Sequence, residues 1–174
     1  MYVIAGRFSA KQSHLNRRLL RRQLTLLRHG IIENCFMKII AKVENSKNNH
    51  QVTLQTNDNV HSITIPPKST GYGSNANGGE LLFLALATCY CNDLYREAAK
   101  RNIKVERVEV KVEGDFGAEG EPAKNVTYQA KVFAQASEDE IHELMRFTDT
   151  VAEIQNSLRV GTPVVLSNVE VVKV

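Results

Sequence analysis

Residues 81–91 set the tightest limit on what this chain can become. They read Leu-Leu-Phe-Leu-Ala-Leu-Ala-Thr-Cys-Tyr-Cys, with nothing that breaks a helix. At 3.6 residues per turn these side chains are apolar almost all the way round. Such a helix is stable only where it is buried on every side. A chain of 174 residues makes one domain of ordinary size. Part of the burial is therefore expected from a second copy, in an obligate homodimer. The run falls short of the roughly 20 apolar residues that span a bilayer, so no stable membrane insertion is expected.

The helix is predicted over 79–101, capped by Asn77 with Glu80 three places on as its capping-box partner. Upstream, 38–43 and 51–56 read as strands joined by a polar turn, and 60–65 alternates as a third strand. Pro66 and Pro67 end it, because proline cannot donate to a ladder. The loop 66–79 carries four glycines. Downstream, 105–113 and 126–134 are long strands, each with one valine-rich face and one charged or polar face. Ser137 with Glu140 forms a second capping box and opens a helix. A short helical stretch over 153–158 ends at Gly161 and Pro163, and 164–174 alternates as a final strand. The fold class is α+β: a three-stranded meander, a long buried central helix, two long strands, shorter helices and a last strand.

Charge divides the chain in two. Residues 1–36 hold seven Lys and Arg against the single acid Glu33, whereas 37–174 hold 15 basic and 18 acidic residues. The domain proper is thus mildly acidic and lacks the clustered basic surface that binding phosphates requires, so no nucleic-acid partner is expected. In the basic segment, Leu15, Leu19, Leu20, Leu24, Leu26 and Leu27 share one half of a helical wheel. Arg17, Arg18, Arg21, Arg22 and Arg28 share the other. Three readings stay open for this extension: residues upstream of a true start at Met37, a docking arm, or a targeting segment. The domain boundaries are accordingly 1–36 and 37–174.

The three cysteines, Cys35, Cys89 and Cys91, do not make a disulfide framework. The five histidines form no ligand pattern with them, so neither a metal nor another cofactor is expected. A reducing, cytoplasmic setting is the simplest reading. Positions 89 and 91 lie 200° apart on a helix, so the two thiols face nearly opposite ways. Cys89 shares its face with Leu82, Ala85 and Leu86 and then with Asn92, Asp93 and Arg96, where apolar gives way to polar. Cys91 shares its face with Leu84, Ala87, Leu94 and Tyr95 and is expected to pack. Reactivity needs partial exposure and a nearby cation, and Asp93 opposes thiolate formation. Glu80 has two readings, the cap of its helix or an acidic group of the site. Nine residues of continuous helix place it opposite Cys89.

The residues His61-Ser62-Ile63, then Gly71-Tyr72-Gly73-Ser74-Asn75, then Glu80 through Cys89 resemble the signature of the OsmC/Ohr family. That signature is a glycine-rich loop opening a long apolar helix with a cysteine near its middle. The resemblance covers 37–174. It implies an intertwined homodimer built around the two central helices, with a peroxiredoxin-like role in the oxidative stress response. The implied activity is hydroperoxide reduction, in which a first cysteine becomes a sulfenic acid and a second resolves it. Cys89 matches the first cysteine. Ala152 aligns with the second, so the resemblance implies a site that depends on an external thiol reductant. The family's glutamate falls on Gly79, beside Glu80. Its activating arginine lies in the first strands, where this chain offers Lys42, Lys47 or His50. Two functions are expected: reduction of a small organic hydroperoxide at Cys89, or non-catalytic binding of an apolar ligand in a pocket at the dimer interface.

Overall fold

The structure is a computed structural model that describes residues 36–173. The basic wheel of residues 15–28 and the thiol of Cys35 lie outside the described residues. Strands β1 (Ile39–Ser46), β2 (Asn49–Thr56) and β3 (Asn59–Ile63) form an antiparallel meander in that order. Its turns are two residues long, and each has an asparagine in the left-handed region, Asn48 at φ 59° and Asn57 at φ 50°. Asparagine tolerates that conformation better than most residues, and the short turns fix the register. Val43 faces Val52, which faces Ile63 across the sheet.

Helix α1 (Gly78–Lys100) follows, then strands β4 (Lys104–Asp115) and β5 (Lys124–Gln135) as a second antiparallel sheet. Helices α2 (Glu138–Val151) and α3 (Glu153–Arg159) come last. Both predicted capping boxes form: Asn77 with Glu80 at the start of α1, and Ser137 with Glu140 at the start of α2. Helix α1 ends in a left-handed asparagine, Asn102 at φ 57°, with Ile103 N–H bonded to Ala98 O and Asn102 N–H to Ala99 O. This is the Schellman pattern with asparagine in glycine's usual place. Helix α3 ends the same way at Gly161, φ 64°.

The core is the seam between α1 and its cover. Tyr90, Leu94 and Ala98 from α1 pack on Leu144 and Ala152, with Val105, Val108, Val110, Tyr128, Ala130 and Val132 of the β4–β5 sheet closing one side. The opposite side of α1 has no such cover: Leu84 is 57% exposed, and Tyr95 is exposed too. The meander, for its part, makes no extensive contact with the helices or with β4–β5. Ile39, Val43 and Ile63, on one of its faces, lie open to solvent.

The expected final strand does not form. Residues 164–173 run on without secondary structure, and their valines are exposed. Alternating valines favour an extended backbone, but a strand exists only where a neighbour completes its ladder, and this segment has no such neighbour among the described residues. Residues 64 and 65, expected to extend β3, also lie outside it. Residues 66–75 fold back instead as a pinched loop, with Lys68 N–H bonded to Gly73 O and Asn75 N–H to Pro66 O. It docks on the β1–β2 turn through Asn48 N–H to Gly71 O and Gly73 N–H to Asn45 Oδ1.

Candidate functional site at Cys89

Cys89 lies on α1 beside the start of α3. Its Sγ donates to Asp93 Oδ2 at 3.5 Å and lies 3.9 Å from Glu153 Oε2. Asp93 is one turn on along α1, the i,i+4 spacing that brings side chains together. Glu153 is the first residue of α3, where a carboxylate is favoured by the helix dipole. Arg96 ties the two carboxylates together. Its Nη1 is 2.7 Å from Asp93 Oδ1 and 3.4 Å from Glu153 Oε1, and its Nε is 3.0 Å from Glu97 Oε1. Each of Asp93 and Glu153 therefore gives one oxygen to the guanidinium and turns the other toward the thiol. Lys100 completes the row at 2.7 Å from Glu97.

The electrostatics follow from that layout. Burial is the main cause that pushes the Cys89 thiol above its ordinary value. The Ile154 N–H works against it, while the charges of Asp93 and Glu153 add to it. Burial also raises Asp93, and Glu153 adds to the shift against the opposing pull of Cys89 and Arg96. Hydrogen bonds from Lys100 and then Arg96 hold Glu97 below the usual range. The sulfur is thus a protonated thiol facing two carboxylates, one of which has raised proton affinity. Arg96 does not reach the sulfur and acts on it through the acids. Sγ, Asp93 and Glu153 also present ligand atoms within 4.8 Å of one another. That donor set suits a divalent ion, but the guanidinium already engages one oxygen of each carboxylate.

The other expected site residues fall elsewhere. Glu80 accepts from Asn77 N–H at 2.7 Å and caps α1. Nine residues of helix separate it from Cys89, about 13 Å along the axis. Gly79 is small for a packing reason: an added Cβ would sit 2.7 Å from Phe116. Ala152 is fully buried in the core, and the residue that faces the thiol is its neighbour Glu153. Cys91, expected to pack, is only half-buried in a shallow depression with Ala87, Thr88 and Val110, at the edge of the cover that β4 gives α1. Of the candidate cations, Lys42 pairs with Glu44 at 3.1 Å and His50 contacts Asn45, all on the meander.

Beside the thiol cluster lies a cavity of about 710 Å³. Leu82 and Leu86, on the Cys89 face of α1, form one wall. Phe116 and Val126 close it from the β4–β5 hairpin, and Leu158 and Gln155 from α3. At its polar end Tyr128 donates to Asp149, which also pairs with Arg159. Burial pushes Asp149 up, but the bonds from Tyr128 and Arg159 outweigh it and the net shift is down. Neither Gln155 nor Arg159 stands out in the sequence, because the turn between α2 and α3 is what brings both to this wall.

The domain is mixed α+β, with a thiol at the middle of its one long apolar helix. The profile of the OsmC-like protein family matches residues 71–167, and the chain belongs to that family. Among solved structures, the OsmC-like protein of Mycoplasma pneumoniae is 18% identical, covering 72% of this chain and 89% of that one, with a TM-score of 0.50. An organic hydroperoxide resistance protein OsmC from Legionella pneumophila, also described as a predicted redox protein, is 20% identical over 73% and 92%, at 0.49. An OsmC-like protein of unknown function from Vibrio cholerae is 14% identical over 70% and 92%, at 0.47. At these identities the likeness concerns the fold alone. No curated protein sequence matches the chain. Among the described residues, no helix is long and apolar enough to cross a membrane.

Proposed function

We propose that this protein reduces small organic hydroperoxides at Cys89, using an external thiol as reductant. The observation that carries the reading is the pair of carboxylate oxygens, Asp93 Oδ2 and Glu153 Oε2, turned toward the Cys89 thiol by Arg96. In the first step the thiol proton passes to Asp93, to which the sulfur already donates at 3.5 Å. The sulfur attacks the terminal peroxide oxygen, the O–O bond breaks, and the departing alkoxide takes the proton back and leaves as an alcohol. Sulfur is oxidised to sulfenic acid and the peroxide is reduced. A first external thiol then displaces water to form a mixed disulfide, and a second releases Cys89 with formation of the external disulfide. The apolar cavity holds the organic part of the peroxide. A reducing cytoplasm, rich in small thiols, suits the cycle.

The homodimer belongs to the same reading. Leu84 and Tyr95 on α1 and Ile39, Val43 and Ile63 on the meander are exposed apolar surfaces of the kind a partner chain covers. A partner's meander would also bring Lys42, Lys47 or His50 toward the thiol. A second reading, a non-catalytic binding protein using the same cavity, is favoured by one observation: burial and two acids hold the thiol protonated. The test is turnover of cumene hydroperoxide with dithiothreitol or dihydrolipoamide. Wild type turning over while Cys89→Ser does not supports the peroxidase. Equal rates in the two proteins reject it in favour of binding.

A further inference from the structure

Gln155 is out of place in the wall it belongs to. The cavity is lined by Leu82, Leu86, Phe116, Val126 and Leu158, yet α3 sets into it an amide that is only 4% exposed. Its Nε2 donates to Leu86 O at 3.0 Å, and its Oε1 has no hydrogen-bond partner among the described residues. A buried acceptor left unpaired costs about 1–3 kcal/mol, and a leucine of similar size would avoid that cost. Native structures contain few such atoms, so each asks for a reason.

The geometry points to a ligand as that reason: the cavity takes an apolar molecule whose polar end is a hydrogen-bond donor, received by Gln155 Oε1. The volume lies within the roughly 300–1,000 Å³ of small-molecule sites, and one polar group in an apolar wall is how such sites fix orientation. A single hydrogen bond holds the amide, so turning Oε1 toward the cavity gives up only the bond to Leu86 O. Gln155 follows directly on Glu153 and Ile154, which flank the Cys89 sulfur. A group received at Oε1 must itself donate a hydrogen bond. The O–H of a hydroperoxide is such a donor, and the O–H of an alcohol is its unreactive counterpart. An anionic head has the weaker claim, because Arg159 is already held by Asp149 and Asn156.

The inference deepens the proposed function, since it takes the cavity as the seat of the substrate. Measuring binding on a Cys89→Ser protein separates its failure from failure of the thiol chemistry. The protein is titrated calorimetrically with 1-octanol, with its methyl ether, and with octanoate. The expected result is about tenfold tighter binding of the alcohol than of the ether, about 1.4 kcal/mol, the discrimination expected when a buried acceptor is satisfied by one ligand only. In Gln155→Leu the two should bind alike. Val126→Trp, at the rim of the cavity, should weaken all three ligands. Equal binding of alcohol and ether overturns the inference, as does a preference that survives Gln155→Leu. Octanoate binding tightest overturns it too and assigns the head group to Arg159. Should Gln155→Leu fail to fold, the alcohol-to-ether ratio and Val126→Trp decide it.

Discussion

Replacing Arg96 with alanine should destabilise the protein by about 2 kcal/mol near neutral pH, and by less in acid. The side chain of Asp93 is 6% exposed and loses its only cation among the described residues, at 2.7 Å, whereas Glu97 keeps Lys100 at 2.7 Å. Removing one member of a buried ion pair costs about 3–5 kcal/mol. Arg96 is itself 42% exposed, so solvent takes over part of its role, and exposed pairs contribute only about 0–1 kcal/mol. About 2 kcal/mol lies between these limits. The pH dependence follows from Asp93, whose folded-state pKa is already raised above the unfolded one. A carboxylate raised in this way lowers stability at neutral pH, and the cost is relieved as pH falls through its folded value. Losing Arg96 raises Asp93 further, so the variant's deficit is greatest near neutrality and shrinks on acidification toward the unfolded value of about 3.9. Urea unfolding at pH 7.5 and pH 5, at one fixed protomer concentration, reads this directly. With a slope of about 2 kcal/mol/M the midpoint should fall by about 1 M at the higher pH and by clearly less at the lower. An equal deficit at both values would refute the assignment of the cost to Asp93.

Three further outcomes are expected. Glu153→Gln removes a charge that raises the Cys89 pKa, so iodoacetamide should alkylate Cys89 several-fold faster at neutral pH while the Cys91 rate holds. A slower Cys89 would show that Glu153 does not oppose the thiolate. Light scattering should give twice 19.5 kDa for wild type, and Leu84→Glu should shift the protein toward monomer. A stable wild-type monomer rejects the dimer. A chain that begins at Met37 should melt within about 5 °C of full length, whereas a collapse in stability would mean that residues 1–36 pack on the domain.

Local chemistry was legible in the sequence, and distant pairing was not. The boxes Asn77–Glu80 and Ser137–Glu140 span three residues each, and the valine alternation of β4 and β5 lies within single strands, so pattern alone locates them. The last strand shows the limit, because alternation over 164–174 states a preference and names no partner. Asp93 was readable as an opponent of the thiolate, because it lies one helical turn from Cys89. Glu153 was not, because 64 residues separate it from Cys89 and only the packing of α3 on α1 brings them together. The resemblance puts the second cysteine at Ala152, which the fold buries, one residue away from the side chain that meets the sulfur.

We propose Cys89 as the reacting sulfur, and among the described residues of its own chain no resolving thiol lies within its reach. Mass spectrometry after stoichiometric cumene hydroperoxide tests it most directly, with the native protein sampled over time. Cys89 should gain first one and then a second oxygen, ahead of any change at Cys91. A small thiol added early should return Cys89 to the reduced state. Faster oxidation of Cys91, or an intrachain disulfide from Cys89 to either other cysteine, would contradict it.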